Sequence, residues 1–458
     1  MTDQTSPQAH QGGKTIAIIV GLFLFGMIAF VTNLAAPIGT IWGYQFQGSS
    51  FLGMLGNMMN FLAYLFMGIP AGKLLSKLGY KKTTLWALAI GAIGMAVQYA
   101  SSVFGGEIHI TDSFALNFII YLLGAFIAGF CVCMLNTVVN PLLNVLGGGG
   151  NKGMQLLQVG GTLNSLTATL TPFLVGVLIG ALTPRTTLGD VAPLLWIAIG
   201  VFVAAFIILS FVTIPEPNEV GKKEKVKFTH SPWNFRHFVL GAIAIFIYVG
   251  IEVGIPGTLL FYLSDQTEQG AGILGDASTI AGAVVAIYWM LMLVGRLISS
   301  VISGKISVRN QLIAVSGMGI ILAILAICCS KDTTIAVPSF IVDSGAQIPI
   351  AACFLVLCGL CTSVMWGAIF NLATEGLGKY TAQASGIFMM MVVGGGVIPL
   401  VQQLIAGAVG YMTSYWLQVA CLGFLFLYGI WGCINVNKDI PVEDEDAKVL
   451  EQEILNAE

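Results

Sequence analysis

Ile214-Pro-Glu-Pro-Asn-Glu-Val-Gly-Lys-Lys-Glu-Lys-Val-Lys227 is the most polar internal stretch of this chain of 458 residues, and its place decides how the rest is read. On either side the sequence is apolar: 57 % of residues are hydrophobic and only 9 % charged, with a mean hydropathy of +0.90. Soluble domains carry about 25 % charged residues, so this composition cannot cover a water-facing surface. It excludes a soluble enzyme, a nucleic-acid binder and a disordered chain. A membrane-spanning helix takes about 20 apolar residues. Apolar runs between polar breaks predict spans at about 15–42, 51–75, 83–104, 114–146, 154–180 and 191–214 before the polar stretch. Six more follow it, at about 236–263, 275–303, 310–330, 347–374, 381–409 and 412–436. The fold class is therefore all-α membrane protein with twelve transmembrane helices. The expected organisation is a six-helix bundle over 1–214, a linker over 215–235, a second bundle over 236–437 and an acidic tail over 438–458.

Lysine and arginine give the orientation, because cytoplasmic loops carry them in excess. With the N-terminus inside, sixteen of the nineteen fall on the cytoplasmic side, including Lys73, Lys77, Lys81, Lys82 and Lys222. Arg185 and Lys331 fall outside, and Arg296 stays within the membrane. A wrong helix count would scramble that asymmetry, so both termini are expected to be cytoplasmic. All nine cysteines lie in apolar stretches, and Cys358-x-x-Cys361 lacks the second pair or nearby His of a metal site, so it reads as helix packing. Residues 1–13 are polar and the run after them is too long for a signal-peptide core, so it is expected to be retained as the first span.

The two halves echo each other. Asn140-Pro-Leu-Leu-Asn-Val-Leu-Gly147 in span 4 matches Asn371-Leu-Ala-Thr-Glu-Gly-Leu-Gly378 in span 10 at the first Asn and the Leu-Gly end. Aligning Pro37 with Pro256 sets Asn33 opposite Glu252. Two six-helix repeats around a midplane cavity are the architecture of a major facilitator transporter. Gly72-Lys-Leu-Leu-Ser-Lys-Leu-Gly79-Tyr-Lys-Lys82 resembles that superfamily's loop after span 2, with Ser76 in place of the usual Asp. Asn140-Pro141, Tyr248-Val-Gly-Ile-Glu252, Ile369-Phe-Asn-Leu-Ala-Thr-Glu-Gly376 and Gly394-Gly-Gly-Val-Ile-Pro399 together resemble the fucose–galactose–glucose:proton symporter family. The resemblance implies a sugar carrier in a bacterial cytoplasmic membrane, with a small-molecule sugar as substrate, the lipid bilayer as surroundings, no nucleic-acid partner, no cofactor and a functional monomer. It departs from the family at two carboxylates. Ala36 stands at the Asp of the family's span 1 motif, and Asn136 at the Glu of its span 4 motif. Met365-Trp366 replaces a Gln-Tyr pair.

Buried polar residues supply the candidate site. A carboxylate at membrane depth is costly and is usually retained for function. Only Glu252 lies well inside a predicted span, about 24 Å from the Arg236 end at 1.5 Å per residue. It is the candidate for ion coupling, with the proton as the simplest ion and sodium as the variant. Arg296, about 13 Å above Lys305, is the second candidate. The two depths differ by about 10 Å, so a direct pair requires both side chains to reach or a water between them. Amides recur at helical spacing in Asn57 and Asn60 with Tyr64, and in Asn136, Asn140 and Asn144. Asn33, Gln158, Asn164 and Asn371 add to them. An amide donates and accepts, which suits hydroxyl groups that do both. Tyr288, Trp289 and Trp366 offer rings for the apolar face of a pyranose. No cationic cluster accompanies these groups, which argues for a neutral substrate. An uncoupled facilitator and a sodium symporter stay open as alternatives, with a non-transporting sensor less favoured. A membrane enzyme lacks a His-based general base, since His10, His109, His230 and His237 all lie in loops or at helix ends.

Overall fold

The computed structural model describes residues 7–46, 49–111, 114–146, 150–180, 182–212, 214, 230–273, 276–302, 306–337 and 346–442. The central polar stretch from Pro215 and the acidic tail beyond Val442 lie outside them. Twelve helices are long and apolar enough to cross a membrane. They are span 1 (Thr15–Gln45), span 2 (Ser50–Leu75), span 3 (Lys77–Val103), span 4 (Leu116–Asn140), span 5 (Val159–Ile179) and span 6 (Leu188–Phe211). The second set is span 7 (Arg236–Ser264), span 8 (Ala277–Ser299), span 9 (Val308–Cys328), span 10 (Ile350–Thr374), span 11 (Gly386–Val409) and span 12 (Tyr411–Gly432).

One boundary differs from the sequence reading. Span 3 starts at Lys77 and not near 83, because spans 2 and 3 form one helical stretch, Ser50–Val103, bent at Gly79. Gly79 sits at φ 78° and ψ 178°, a conformation that side chains other than glycine's resist. The basic loop is thus a single-residue elbow. Two short antiparallel hairpins were also not anticipated, His109–Thr111 with Phe114–Ala115 and Thr334–Ala336 with Gln347–Pro349.

Two seams join the first six spans to the last six: span 5 against span 8, and span 2 against span 11. Span 11 is broken between Met391 and Gly394, where Gly394-Gly395-Gly396 lets it press on its neighbours. A Cβ at Gly394 would run into the backbone of Phe246 on span 7, and one at Gly396 would meet Met58 of span 2 at 3.0 Å. Broken backbone at membrane depth must find partners inside the protein. Asn57 of span 2 supplies one, its Nδ2 donating to the Gly395 carbonyl across the seam at 3.0 Å.

At the end of the bundle opposite the basic loops, spans 1 and 7 close on each other. Tyr44 Oη donates to the Ser264 carbonyl at 3.3 Å, and Phe261 lies against Gly53, 3.2 Å from where a Cβ would stand. At the other end, span 12 finishes in one wide turn, Tyr428–Gly432. Its carbonyls are held by Arg309, which donates to Gly429 at 2.9 Å and to Ile430. The Arg236 guanidinium stacks 4.2 Å over the Trp431 ring there. All nine cysteines are free, as packing residues would be.

Candidate functional site

A cavity of about 320 Å³ lies between the halves, walled by spans 1, 2, 5, 7 and 8. Spans 1 and 7 present their proline-bearing segments to it, Thr32 to Pro37 from one and Val253 to Gly257 from the other. Proline lacks an N–H, so each of these helices loses one of its backbone hydrogen bonds where the cavity lies. The wall is apolar, with a few neutral polar groups: Thr32, Asn33, Thr40, Asn57, Ser264, Ser278 and Thr279. Trp289 provides its one large ring. Among the described residues, no Asp, Glu, Lys or Arg lines it.

Of the amides and rings read from sequence, Asn33, Asn57 and Trp289 line this cavity. Asn33 Nδ2 donates back along its helix to the Ala29 carbonyl at 2.8 Å, which leaves its oxygen to accept from a ligand. The other candidates fall elsewhere. Asn136 donates to Tyr64 Oη at 2.8 Å, and Asn140 donates to the Asn136 carbonyl at 2.7 Å. Asn164 ties span 5 to span 1 through the Phe25 carbonyl at 3.1 Å. Asn60 is buried with its Oδ1 unpartnered. Asn371 borders a separate notch with Val308, Thr374 and Glu375. The side chain of Gln158 lies outside the described residues. The hydroxyl residues of the wall were missed by a reading that weighed amides and aromatics. Thr32, Ala36 and Thr40 recur every four residues on the Pro37 helix, and that spacing was the available signal.

Beside the cavity lies a second cluster, and here the geometry corrects the depth arithmetic. Arg296 and Glu252 are in contact, with Nη2 3.7 Å from Oε1, although counting residues sets them about 10 Å apart. The count measures backbone depth, and the side chains reach towards each other across the difference, the condition the sequence set for a direct pair. The reach of the arginine side chain along its own helix closes the gap. Tyr248 lies one turn below Glu252 on the same helix and is fully buried. Because Pro256 has no N–H, the Glu252 carbonyl loses its helical donor. Tyr288 Oη supplies a replacement at 3.3 Å and is itself 3.0 Å from Thr362 Oγ1. Trp366 packs on Tyr248 with ring centroids 6.1 Å apart. Trp289 meets the Tyr288 ring edge-on at 5.3 Å. Contact with the cavity ring therefore passes through Tyr288 to the backbone of Glu252.

A family model described as Major Facilitator Superfamily matches residues 18–400. The chain belongs to the major facilitator superfamily. Among major facilitator relatives, it is 28 % identical over 434 residues to the glucose/galactose transporter of Brucella abortus, covering 94 % of this chain and 96 % of that protein. To the L-fucose-proton symporter of Escherichia coli it is 24 % identical over 447 residues, covering 91 % and 94 %. The fold matches the crystal structure of the Escherichia coli fucose:proton symporter with a TM-score of 0.64 at 19 % identity, over 91 % of this chain and 99 % of that one. The Escherichia coli xylose transporter matches with a TM-score of 0.64 at 10 % identity, over 91 % and 98 %. The protein is thus a multi-pass membrane transporter with twelve apolar helices. Among the described residues, no three His, Cys, Asp or Glu gather to hold a metal ion.

Proposed function

We propose that this transporter imports a neutral hexose-like sugar across a bacterial cytoplasmic membrane by alternating access, driven by a proton taken up at Glu252. The observation that carries the reading is the cavity between the halves. Its polar groups are neutral amides and hydroxyls, its large ring is Trp289, and among the described residues no ionised side chain lines it. Such a wall suits a ligand that is apolar on its faces and hydroxylated around its rim. The relatives named glucose/galactose transporter and L-fucose-proton symporter support the substrate class and the ion. In this reading Asn33, Asn57 and Trp289 contact the sugar, both termini are cytoplasmic, and the carrier works as a monomer in the bilayer.

A second reading, an uncoupled facilitator, is favoured by one observation. Ala36, at the position of the family's span 1 Asp, lies in the cavity wall, and a carboxylate is missing there. Uptake of labelled glucose, galactose, fucose and xylose into proteoliposomes, each with and without proton and sodium gradients, separates the readings. Accumulation against a sugar gradient only under a proton gradient supports the proposal. Equilibration without accumulation supports the facilitator, and uptake of none of the sugars overturns both.

A further inference from the structure

Arg296 holds two partners on opposite sides of the seam. Its Nη1 donates to the Gly161 carbonyl of span 5, in the first half, at 2.6 Å. Its Nη2 lies 3.7 Å from Glu252 Oε1 on span 7 and 3.5 Å from Met292 Sδ on its own helix. The distances run opposite to charge. A guanidinium bonds a carboxylate at about 2.7–2.9 Å and about twice as strongly as it bonds a neutral acceptor, yet here the neutral carbonyl holds the short contact. We infer that Arg296 is a strap between the halves whose grip is set by the charge on Glu252. The arrangement seen is the engaged one, suited to a neutral Glu252. Ionised, the carboxylate draws the fork into a close pair within the second half and frees Gly161.

The other groups facing Glu252 do not duplicate this role. They are Tyr248 from its own helix and Tyr288 from span 8, with Cys358 and Cys361 of span 10 behind Tyr288. None of them bonds across the seam in the contacts described. Gly161 lies about 11 residues and Arg296 about 6 from the ends of their helices nearest the basic loops, so both sit about 9–17 Å inside that end. An engaged strap therefore holds spans 5 and 8 together on that side. This has a use in symport: a carrier that has taken its proton but no sugar stays closed towards the loops.

The inference rests on Glu252 as the proton site, but its test needs neither sugar nor transport. Spin labels at the loop-side ends of spans 5 and 8 report the separation of the halves in purified, sugar-free protein across a pH series. Glu252→Gln, fixed neutral, is expected to hold the short distance at every pH. The unmutated protein is expected to lose it as pH rises. Arg296→Gln is expected to lower the close population about tenfold or more, the scale of one hydrogen bond to a charged group. Gly161→Ala leaves every charge in place, but its Cβ would stand 3.0 Å from Nη1, so it is expected to shift the population in the same direction. It also serves if Arg296→Gln fails to fold. Distance distributions that are pH-independent and identical in Glu252→Gln and Gly161→Ala would overturn the strap. Failure of sugar uptake with these shifts intact would overturn the proposed function alone.

Discussion

Tyr288→Phe removes one oxygen from a fully buried site. The Tyr288 side chain is fully buried, and its hydroxyl is the donor that the Glu252 carbonyl accepts in place of the N–H that Pro256 lacks. Thr362 keeps its bond to the Gly359 carbonyl at 3.2 Å, so the loss falls mainly on Glu252. Leaving a buried carbonyl unpaired costs about 1–3 kcal/mol. Pro256→Ala restores an N–H four residues after Glu252, where a helix directs it at that carbonyl. The cost of Tyr288→Phe should then fall to about 1 kcal/mol or less in the Pro256→Ala background, a coupling of about 1–2 kcal/mol. Thermal unfolding in detergent, followed by reaction of a maleimide dye with the buried thiol of Cys358, reads both backgrounds. Equal losses with and without Pro256 would refute the replacement-donor account.

Glu252→Gln should abolish gradient-driven accumulation while sugar binding and exchange persist, measured by uptake and counterflow in the same vesicles; full accumulation would remove Glu252 from coupling. Trp289→Ala should weaken sugar binding about fivefold or more, the scale of a lost ring contact, whereas Asn164→Ala, bonded to the Phe25 backbone and away from the cavity, should lower thermal stability and leave affinity unchanged. Calorimetric titration of both variants tests the pair. Gly129→Ala places a Cβ against the Asn60 carbonyl, a backbone atom that cannot step aside, and should sharply reduce the folded yield in size-exclusion profiles.

How much of this was legible in the sequence depended on the range of the interaction. The twelve spans were readable because each is a local run of apolar residues. The sixfold division followed from one polar stretch. The elbow at Gly79 was not readable, since a glycine beside a basic run fits an ordinary loop equally well. The amides divided for a similar reason. All four donate to protein acceptors, but Asn33 and Asn57 also line the cavity, whereas Asn136 and Asn164, bonded to Tyr64 and the Phe25 carbonyl, do not. Helical spacing cannot say whether a face meets ligand or a neighbouring helix. The Glu252–Arg296 pair was named from sequence, but residue counting gives backbone depth and could not say whether the side chains meet directly.

The uncharged cavity has an electrical consequence. A sugar entering it adds no charge, and Glu252 with Arg296 sums to zero when the carboxylate is ionised. On the proposed proton coupling, the empty carrier crosses the field as a neutral object, so its return is expected to be insensitive to membrane potential. With Glu252 protonated, the uncompensated Arg296 gives the loaded carrier one positive charge, whichever sugar is bound. Moving one elementary charge through 100 mV releases about 2.3 kcal/mol, close to a fiftyfold concentration ratio. Currents recorded from vesicles should therefore carry one charge per sugar and respond to voltage only in the inward, loaded half of the cycle.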